Sequence, residues 1–203
     1  MTEAPVFTVI AGINGAGKTS LYHVLRESRS LGERVNIDEL AKGFGNWRDP
    51  RTQIAAGRAA MKRIGELIAA GRSFHIETTL PGAAVERQVT AAVANGFRVR
   101  LYYVGVDDVS IAVERVHRRM AHGGHGIEDR YILRRYEKMN ARLRRLLPFC
   151  DEAVLFDNTV RFRQIAILKG DSFADCDRDL PLWFLDLVEG PEETDGDRGP
   201  FNP

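Results

Sequence analysis

Cysteine is scarce in this 203-residue chain, with only Cys150 and Cys176. Their separation matches no metal-ligand spacing, which excludes a zinc site of the paired-cysteine kind. Two cysteines so placed predict free thiols and a reducing, cytoplasmic setting rather than a disulfide framework. Long apolar runs are missing too. No stretch approaches the roughly 18 apolar residues of a membrane helix, and the N-terminus lacks a basic segment followed by an apolar core. The sequence therefore predicts neither a signal peptide nor a membrane span. There is no excess of one charge: 29 Lys and Arg against 28 Asp and Glu leave a net +1. That balance excludes attraction of the whole molecule to nucleic acid or to an anionic membrane, so any basic function must be local. Internal repeats and low-complexity tracts are absent, as are an N-K-x-D base-reading motif and a D-x-x-G switch after the third predicted strand. The last two absences count against a GTP switch. What remains is an ordinary globular composition, 44% hydrophobic and 28% charged, suited to one α/β domain with a substantial core.

The informative stretch is Gly12-Ile13-Asn14-Gly15-Ala16-Gly17-Lys18-Thr19, which fits the P-loop pattern G-x-x-x-x-G-K-[ST]. Before it, Val6 to Ala11 reads as a buried strand. After it, Thr19 to Glu27 reads as a helix with Leu21, Val24 and Leu25 on one side. Strand, glycine loop and helix together make a phosphate cradle. Glycines let backbone N–H groups turn inward, and the helix N-terminus adds its partial positive charge. The nucleotide-binding set is then Gly12, Asn14, Gly15, Ala16, Gly17, Lys18, Thr19 and Ser20. Lys18 reaches the terminal phosphates, and the Thr19 hydroxyl ligates Mg²⁺. The bland alternative is a plain glycine turn.

Further on, Arg34 to Ile37 predicts a second strand ending at Asp38. Asp49-Pro50 opens a helix in which Ile54, Met61, Ile64 and Ile68 recur at helical spacing, with Gly71 closing it. Ser73 to Ile76 predicts a third strand leading into Glu77-Thr78-Thr79. A helix from Ala83 to Ala94 and an alternating strand from Phe97 to Tyr103 follow. Asp107-Asp108 caps a helix carrying Val109, Val113 and Val116. Gly123-Gly124-His125-Gly126 reads as a loop, and Glu128 to Leu147 as one long helix with Ile132, Tyr136, Met139, Leu143 and Leu146 as its stripe. Ala153 to Phe156 is a fifth strand, and Arg161 to Lys169 a return strand. Pro181 to Leu185 is apolar enough to dock on the body. Strands alternating with helices predict a three-layer α/β P-loop NTPase or kinase fold. It has a mostly parallel sheet of about five strands, helices on both faces and an Arg-rich lid at 115–135. Residues 1–188 form one domain, and 189–203 an acidic, disordered tail.

In such sheets ligands sit beyond the carboxyl ends of the strands, which puts the P-loop, Asp38 and Glu77 on one rim. Asp38 is the candidate base for a substrate hydroxyl, or a Mg²⁺ ligand through water. The bland reading makes it a helix cap. Glu77, Thr78 and Thr79 are candidates for holding the acceptor, against a plain turn. Arg115, Arg118 and Arg119 precede the glycine-rich loop, and Arg130, Arg134 and Arg135 follow it. Two or three of these six are expected on phosphate. Arg115, Arg119 and Arg134 are assigned to the nucleotide, and Arg119 and Arg135 to the transferring group. Arg142, Arg144 and Arg145 are assigned to a solvated face. His125 is a candidate contact for substrate or phosphate, against a loop histidine without a role, and Asn158 is a candidate to face the nucleotide base.

The combination of Ala11 to Thr19, Val35-Asn36-Ile37-Asp38, Ser73 to Leu80, Gly123-Gly124-His125, Arg134-Arg135-Tyr136 and Asp157-Asn158 resembles the zeta toxin family. The P-loop is widely shared. The Glu77-Thr78-Thr79-Leu80 and glycine–histidine stretches are more specific, and their order and spacing agree. The resemblance covers about residues 6 to 160. It implies a P-loop kinase that uses ATP, rather than GTP, with Mg²⁺. It further implies phosphorylation of the 3′-hydroxyl of a UDP-activated amino sugar such as UDP-N-acetylglucosamine, and an antitoxin partner. The family's base maps onto Asp38, its P-loop lysine onto Lys18, its lid arginines onto Arg119 and onto Arg134 or Arg135, and its acceptor-side glutamate onto Glu77. Glu128 stands where related sequences often carry proline early in the helix. Two other readings stay open: a kinase of a nucleoside, nucleotide or polynucleotide end, and a non-catalytic nucleotide-binding regulatory module.

Overall fold

The computed structural model describes residues 3–46, 49–123, 126–170 and 172–190, without the side chains of Asp38, Ala174 and Asp175. His125 and the tail beyond Gly190 lie outside the described residues. Strand β1 (Val6–Ala11) is an interior strand of a seven-stranded sheet. With β2 (Glu33–Val35), β3 (Phe74–Thr78), β4 (Arg98–Gly105), β5 (Glu152–Asp157), β6 (Arg163–Lys169) and β7 (Ser172–Cys176), the order is β2-β3-β1-β4-β5-β6-β7. The first five strands are parallel, β6 pairs antiparallel with β5, and β7 pairs antiparallel with β6. One strand is present beyond the five and the return strand that the sequence predicts. The return strand β6 was foreseen. The edge strand β7 was not, because its sequence, Ser172 to Cys176, has no apolar run.

The helices are α1 (Lys18–Ser28), α2 (Ile37–Lys42), α3 (Pro50–Ala69), α4 (Ala84–Ala94), α5 (Val109–Ala121), α6 (Asp129–Glu137), α7 (Met139–Leu146) and α8 (Leu182–Glu189). They pack around the sheet, with α3 against α4, α4 against α7 and α7 against α8. Helix starts follow local chemistry. The Asp49 carboxylate accepts from the Arg51 N–H at 2.8 Å with Pro50 at the first helical position, and Asp108 accepts from the Ser110 N–H at 2.8 Å. The chain passes from β1 to the outer strand β2, returns to β3, and then crosses β1 to reach β4. That reversal makes the carboxyl end of β1 the switch point where a parallel sheet opens a crevice.

The core is the two-sided burial of β1, β4 and β5, whose apolar runs are what a strand covered on both faces requires. Phe7 stacks on Phe74 across the β1–β3 rung, ring centroids 4.3 Å apart. The pattern of buried positions departs from expectation in places. Val24, Ile54 and Met61 are exposed, and α3 turns Thr52, Ala56, Ala60, Ile64, Leu67 and Ile68 inward instead. Alanines let α3 approach closely, so its small residues mark the buried face better than its large ones. The predicted single helix from Glu128 to Leu147 is two, broken at Lys138. The stripe still holds: Ile132, Met139, Leu143 and Leu146 are buried, and Tyr136 packs on the core. Cys150 is buried and Cys176 exposed.

Candidate functional site

Beyond β1 the chain makes a turn that only glycine can line. Gly12 has φ +147° and Gly15 φ +81°. A Cβ at Gly12 would lie 2.5 Å from the Val104 carbonyl oxygen, and one at Gly15 2.2 Å from that of Ala112. Both obstacles are backbone, so β4 and α5 mould the loop directly. Asn158, just past β5, donates from Nδ2 to the Ala16 carbonyl at 2.7 Å. Arg135 on α6 donates to Asn14 Oδ1. Lys18 folds back along the loop and donates from Nζ to the Gly12 and Ile13 carbonyls at 2.8 and 2.9 Å. Helix α1 opens with no side-chain cap, so its first-turn N–H groups stay outside the intrahelical ladder and face the loop mouth. Lys18, Thr19 and Ser20 form that first turn.

Glu77 stands beside this opening because β3 runs parallel to β1 with Ile10 opposite Glu77 and Ala11 opposite Thr78. It is inside β3, not after it as the sequence suggested. Its two oxygens have separate partners: Thr19 Oγ1 donates to Oε2 at 3.3 Å, and Arg34 donates from Nη2 to Oε1. Arg34 also pairs with Glu39 and lies over the Tyr22 ring, 4.4 Å from its centroid. Its Nε is buried without a hydrogen-bond partner. Sequence reasoning missed Arg34 and Tyr22. Arg34 registers with His75, and Glu77 lies two residues on, on the same face of the sheet. Only the strand register reveals that signal. His75 is itself buried, with Nδ1 3.3 Å from the Leu31 carbonyl oxygen and its ring stacked on Tyr22. Burial, joined by the Arg34 charge, holds its pKa below the ordinary value.

Asp38 lies in the first turn of α2 rather than at the end of a strand. The strand β2 stops at Val35, and Asn36 Oδ1 accepts from the Glu39 N–H at 3.2 Å, which turns the chain into helix early. Thr78 Oγ1 accepts from the Leu80 N–H at 3.0 Å, and Thr79 is half-buried. Leu80 has φ +49°, an uncommon conformation for a buried leucine.

Of the six lid arginines, two reach the rim of the glycine loop. Arg135 does so through Asn14. Arg115 donates from Nη2 to the Thr159 carbonyl at 3.4 Å, while its Nη1 is buried without a partner. Arg118 and Arg130 form exposed pairs with Glu114 and Glu128. Arg119 and Arg134 are exposed on their helices. Arg145 is exposed as expected, but Arg142 and Arg144 are not on a solvated face. Arg142 donates to the Leu80 carbonyl at 2.8 Å, Arg144 to those of Leu187 and Asp186 at 3.0 and 2.7 Å, and Arg145 lies 3.8 Å from Glu86. Arg142 and Arg144 fasten α7 to its neighbours.

Among the described residues no cluster of three His, Cys, Asp or Glu side chains forms a metal cage. The opposed Thr19 hydroxyl and Glu77 carboxylate are nonetheless the hard oxygen donors that Mg²⁺ accepts when phosphates supply the rest of its shell. A glycine-lined anion cradle, a lysine across its mouth and this oxygen pair fit a Mg²⁺–nucleotide.

The chain is similar to a Haemophilus influenzae protein described only as uncharacterized, 32% identical over 126 residues, or 62% of this chain and 88% of that one. Among solved structures it is similar to a chain of the Pnkp1/Rnl/Hen1 RNA repair complex (TM-score 0.59, 16% identity), covering 70% of this chain and 46% of that one. It is similar to a chain of the AvrRxo1-ORF1:-ORF2 complex with ATP (TM-score 0.61, 15% identity, 85% and 60% covered). It is also similar to a chain of the PezAT toxin-antitoxin system of Streptococcus pneumoniae (TM-score 0.56, 17% identity, 77% and 70% covered). At such identities these likenesses carry the fold, which is that of P-loop kinases. The family profile described as zeta toxin matches residues 1–164, a span that takes in the glycine loop, Asp38, Glu77 and both arginine-bearing helices, and the chain belongs to the zeta toxin family.

Proposed function

We propose that this chain is an ATP- and Mg²⁺-dependent kinase that phosphorylates a hydroxyl of a nucleotide sugar such as UDP-N-acetylglucosamine. The observation that carries the reading is the Thr19–Glu77 contact at 3.3 Å on the rim of the glycine loop, where a phosphate cradle and a carboxylate meet. Bound Mg²⁺–ATP would supply an activated γ-phosphoryl group. The chain's own residues do the rest. The glycine loop and the α1 N-terminus hold the phosphates, with Lys18 available to turn from the Gly12 and Ile13 carbonyls onto them. Thr19 and Glu77 would hold the metal, and Asp38 is assigned as acceptor of the substrate hydroxyl's proton. Glu77 is fixed from behind by Arg34, with Thr78 and Thr79 next to it on the acceptor side. Arg135, already tied to Asn14, is the arginine best placed for the transferring group, while Arg119 and Arg134 would need the lid to close. An antitoxin partner is proposed with the family reading.

The test is product mass after incubation with Mg²⁺–ATP and a panel of nucleotide sugars, nucleosides and oligonucleotides. The expected product is phosphorylated UDP-N-acetylglucosamine. Asp38→Asn is expected to slow transfer by about 10²- to 10⁴-fold while retaining ATP affinity. Phosphate on an oligonucleotide or nucleoside instead would discard the acceptor and keep the kinase. Transfer by Asp38→Asn at the normal rate would remove the base assignment.

A further inference from the structure

Asn158 was the residue expected to face the nucleotide base. In the structure its amide nitrogen donates to the Ala16 carbonyl at 2.7 Å, so it fastens the glycine loop. The same turn carries a different kind of surface. Phe162 is 40% exposed, and its ring stacks on that of Phe156, centroids 5.2 Å apart and planes 27° from parallel. Val160, two residues earlier, is 91% exposed. Apolar side chains so open on a short connection between β5 and β6 call for a reason, and their position supplies one. A Cβ placed on Gly17, the last residue before α1, would lie 3.7 Å from Phe162 Cε2 and 2.7 Å from Asn158 Nδ2. The aromatic edge therefore stands at the α1 end of the phosphate cradle, on the carboxyl side of the sheet. The turn is also held firmly. Asn158 N donates to the Gly105 carbonyl at 2.9 Å, Thr159 Oγ1 to Asp157 Oδ1 at 2.6 Å, and Arg115 Nη2 to the Thr159 carbonyl at 3.4 Å.

We propose that Phe162, backed by Phe156, is the stacking platform for the base of the nucleotide whose phosphates the glycine loop holds. The inference rests on the nucleotide-binding part of the function proposed above and deepens it. An aromatic ring already packed flat against a second ring has lost little freedom by being fixed and offers one open face. Every base has a π-face, so such a platform adds affinity without choosing between adenine and guanine. Selection for ATP over GTP must then come from elsewhere on the rim.

Calorimetric titration of the full chain tests this with three probes in Mg²⁺: the non-hydrolysable ATP analogue AMP-PNP, its guanine counterpart GMP-PNP, and inorganic tripolyphosphate, which has no base. Phe162→Ala is expected to weaken both nucleotide analogues by about tenfold, within the range that loss of a base–aromatic stack costs. Tripolyphosphate affinity should stay within about twofold, because nothing in the cradle changes. Phe162→Trp keeps a ring there and is expected to restore both nucleotides. Unchanged AMP-PNP affinity in Phe162→Ala would overturn the proposal. So would an equal loss of tripolyphosphate, which would make Phe162 a support of the glycine loop. Wild-type protein that binds tripolyphosphate as tightly as AMP-PNP would show that no base is held and overturn it too, leaving the phosphate cradle standing. Wild-type protein that binds none of the three probes would remove the nucleotide-site reading itself and this proposal with it.

Discussion

At position 75 an ionisable ring sits under the floor of the site. His75 is buried between Leu31 and Tyr22, with Nε2 lacking a hydrogen-bond partner. Burial, then the Arg34 charge, lowers its pKa in the folded chain, so the unfolded chain takes up a proton first as pH falls. Stability contributed by neutral His75 is therefore full above the unfolded pKa of about 6.5 and declines as pH drops below it, levelling off under the folded pKa. The carboxylates with lowered pKa values, Glu33 held by Arg63, Asp108 by Ser110 N–H and Asp177 by the Arg178 N–H, act in a separate window below about pH 4. The urea midpoint should fall between pH 7 and pH 5.5, and His75→Gln should flatten that fall. An identical slope in the variant would assign the pH dependence to other groups.

The elements were legible in proportion to how local their causes are. The strand–loop–helix unit from Val6 to Ser28 follows from an apolar run, glycines and a lysine within one stretch, and the structure has it there. Helix α3 was located by its Asp49 cap, and Ile64 and Ile68 are buried as expected, but half of its face was misread, because Ile54 and Met61 look like core and the alanines that let it pack closely do not. Asp38 was placed at a strand end because Ile37 extends an apolar run, whereas the Asn36 side chain starts α2 there. Arg34 was invisible because its meeting with Glu77 depends on which rungs of β2 and β3 align. The glycine loop shows the other extreme, where the constraint is backbone against backbone. Gly15→Ala puts a methyl group 2.2 Å from the Ala112 carbonyl oxygen at φ +81° and is expected to cost about 1–3 kcal/mol in urea unfolding. It should also weaken AMP-PNP binding at least tenfold. Gly65→Ala in the body of α3 meets nothing within 4 Å and is expected to gain about 0.5–1 kcal/mol. Equal stabilities for the two variants would contradict the fit of α5 against the loop.

On the scale of the whole molecule, the family match stops at residue 164, but the packed body does not. Most of β6, all of β7 and α8 follow it in sequence. Trp183 of α8 fills the space over Gly105, where a Cβ would lie 2.3 Å from its ring. Its backbone N–H donates to Asp107 Oδ1 at 2.9 Å, and its Nε1 donates to the buried Asp157 at 3.2 Å. Asp107 N in turn donates to Thr159 Oγ1 at 3.0 Å, and Tyr136 of α6 donates to the Asp107 carbonyl. Helix α8 is thus tied to the turn that carries Asn158 and Phe162 and to the helix that carries Arg135. Helix α8 therefore belongs to the same folding unit as the sheet. Trp183, Phe184 and Leu187 are all buried, and removing them forfeits about 1.5–3 kcal/mol each, a sum comparable to the whole stability of a domain this size. A chain stopped after Leu180 should fail to unfold cooperatively in urea, whereas the full chain should show one cooperative transition. Trp183→Phe separates packing from bonding: it keeps a ring but removes one donor from Asp157 Oδ1, which Thr159 Oγ1 still reaches at 2.6 Å, and should cost about 0.5–1.5 kcal/mol. A cooperative, native-like transition in the chain ending at Leu180 would mean that α8 is an appendage and that the unit closes with the sheet.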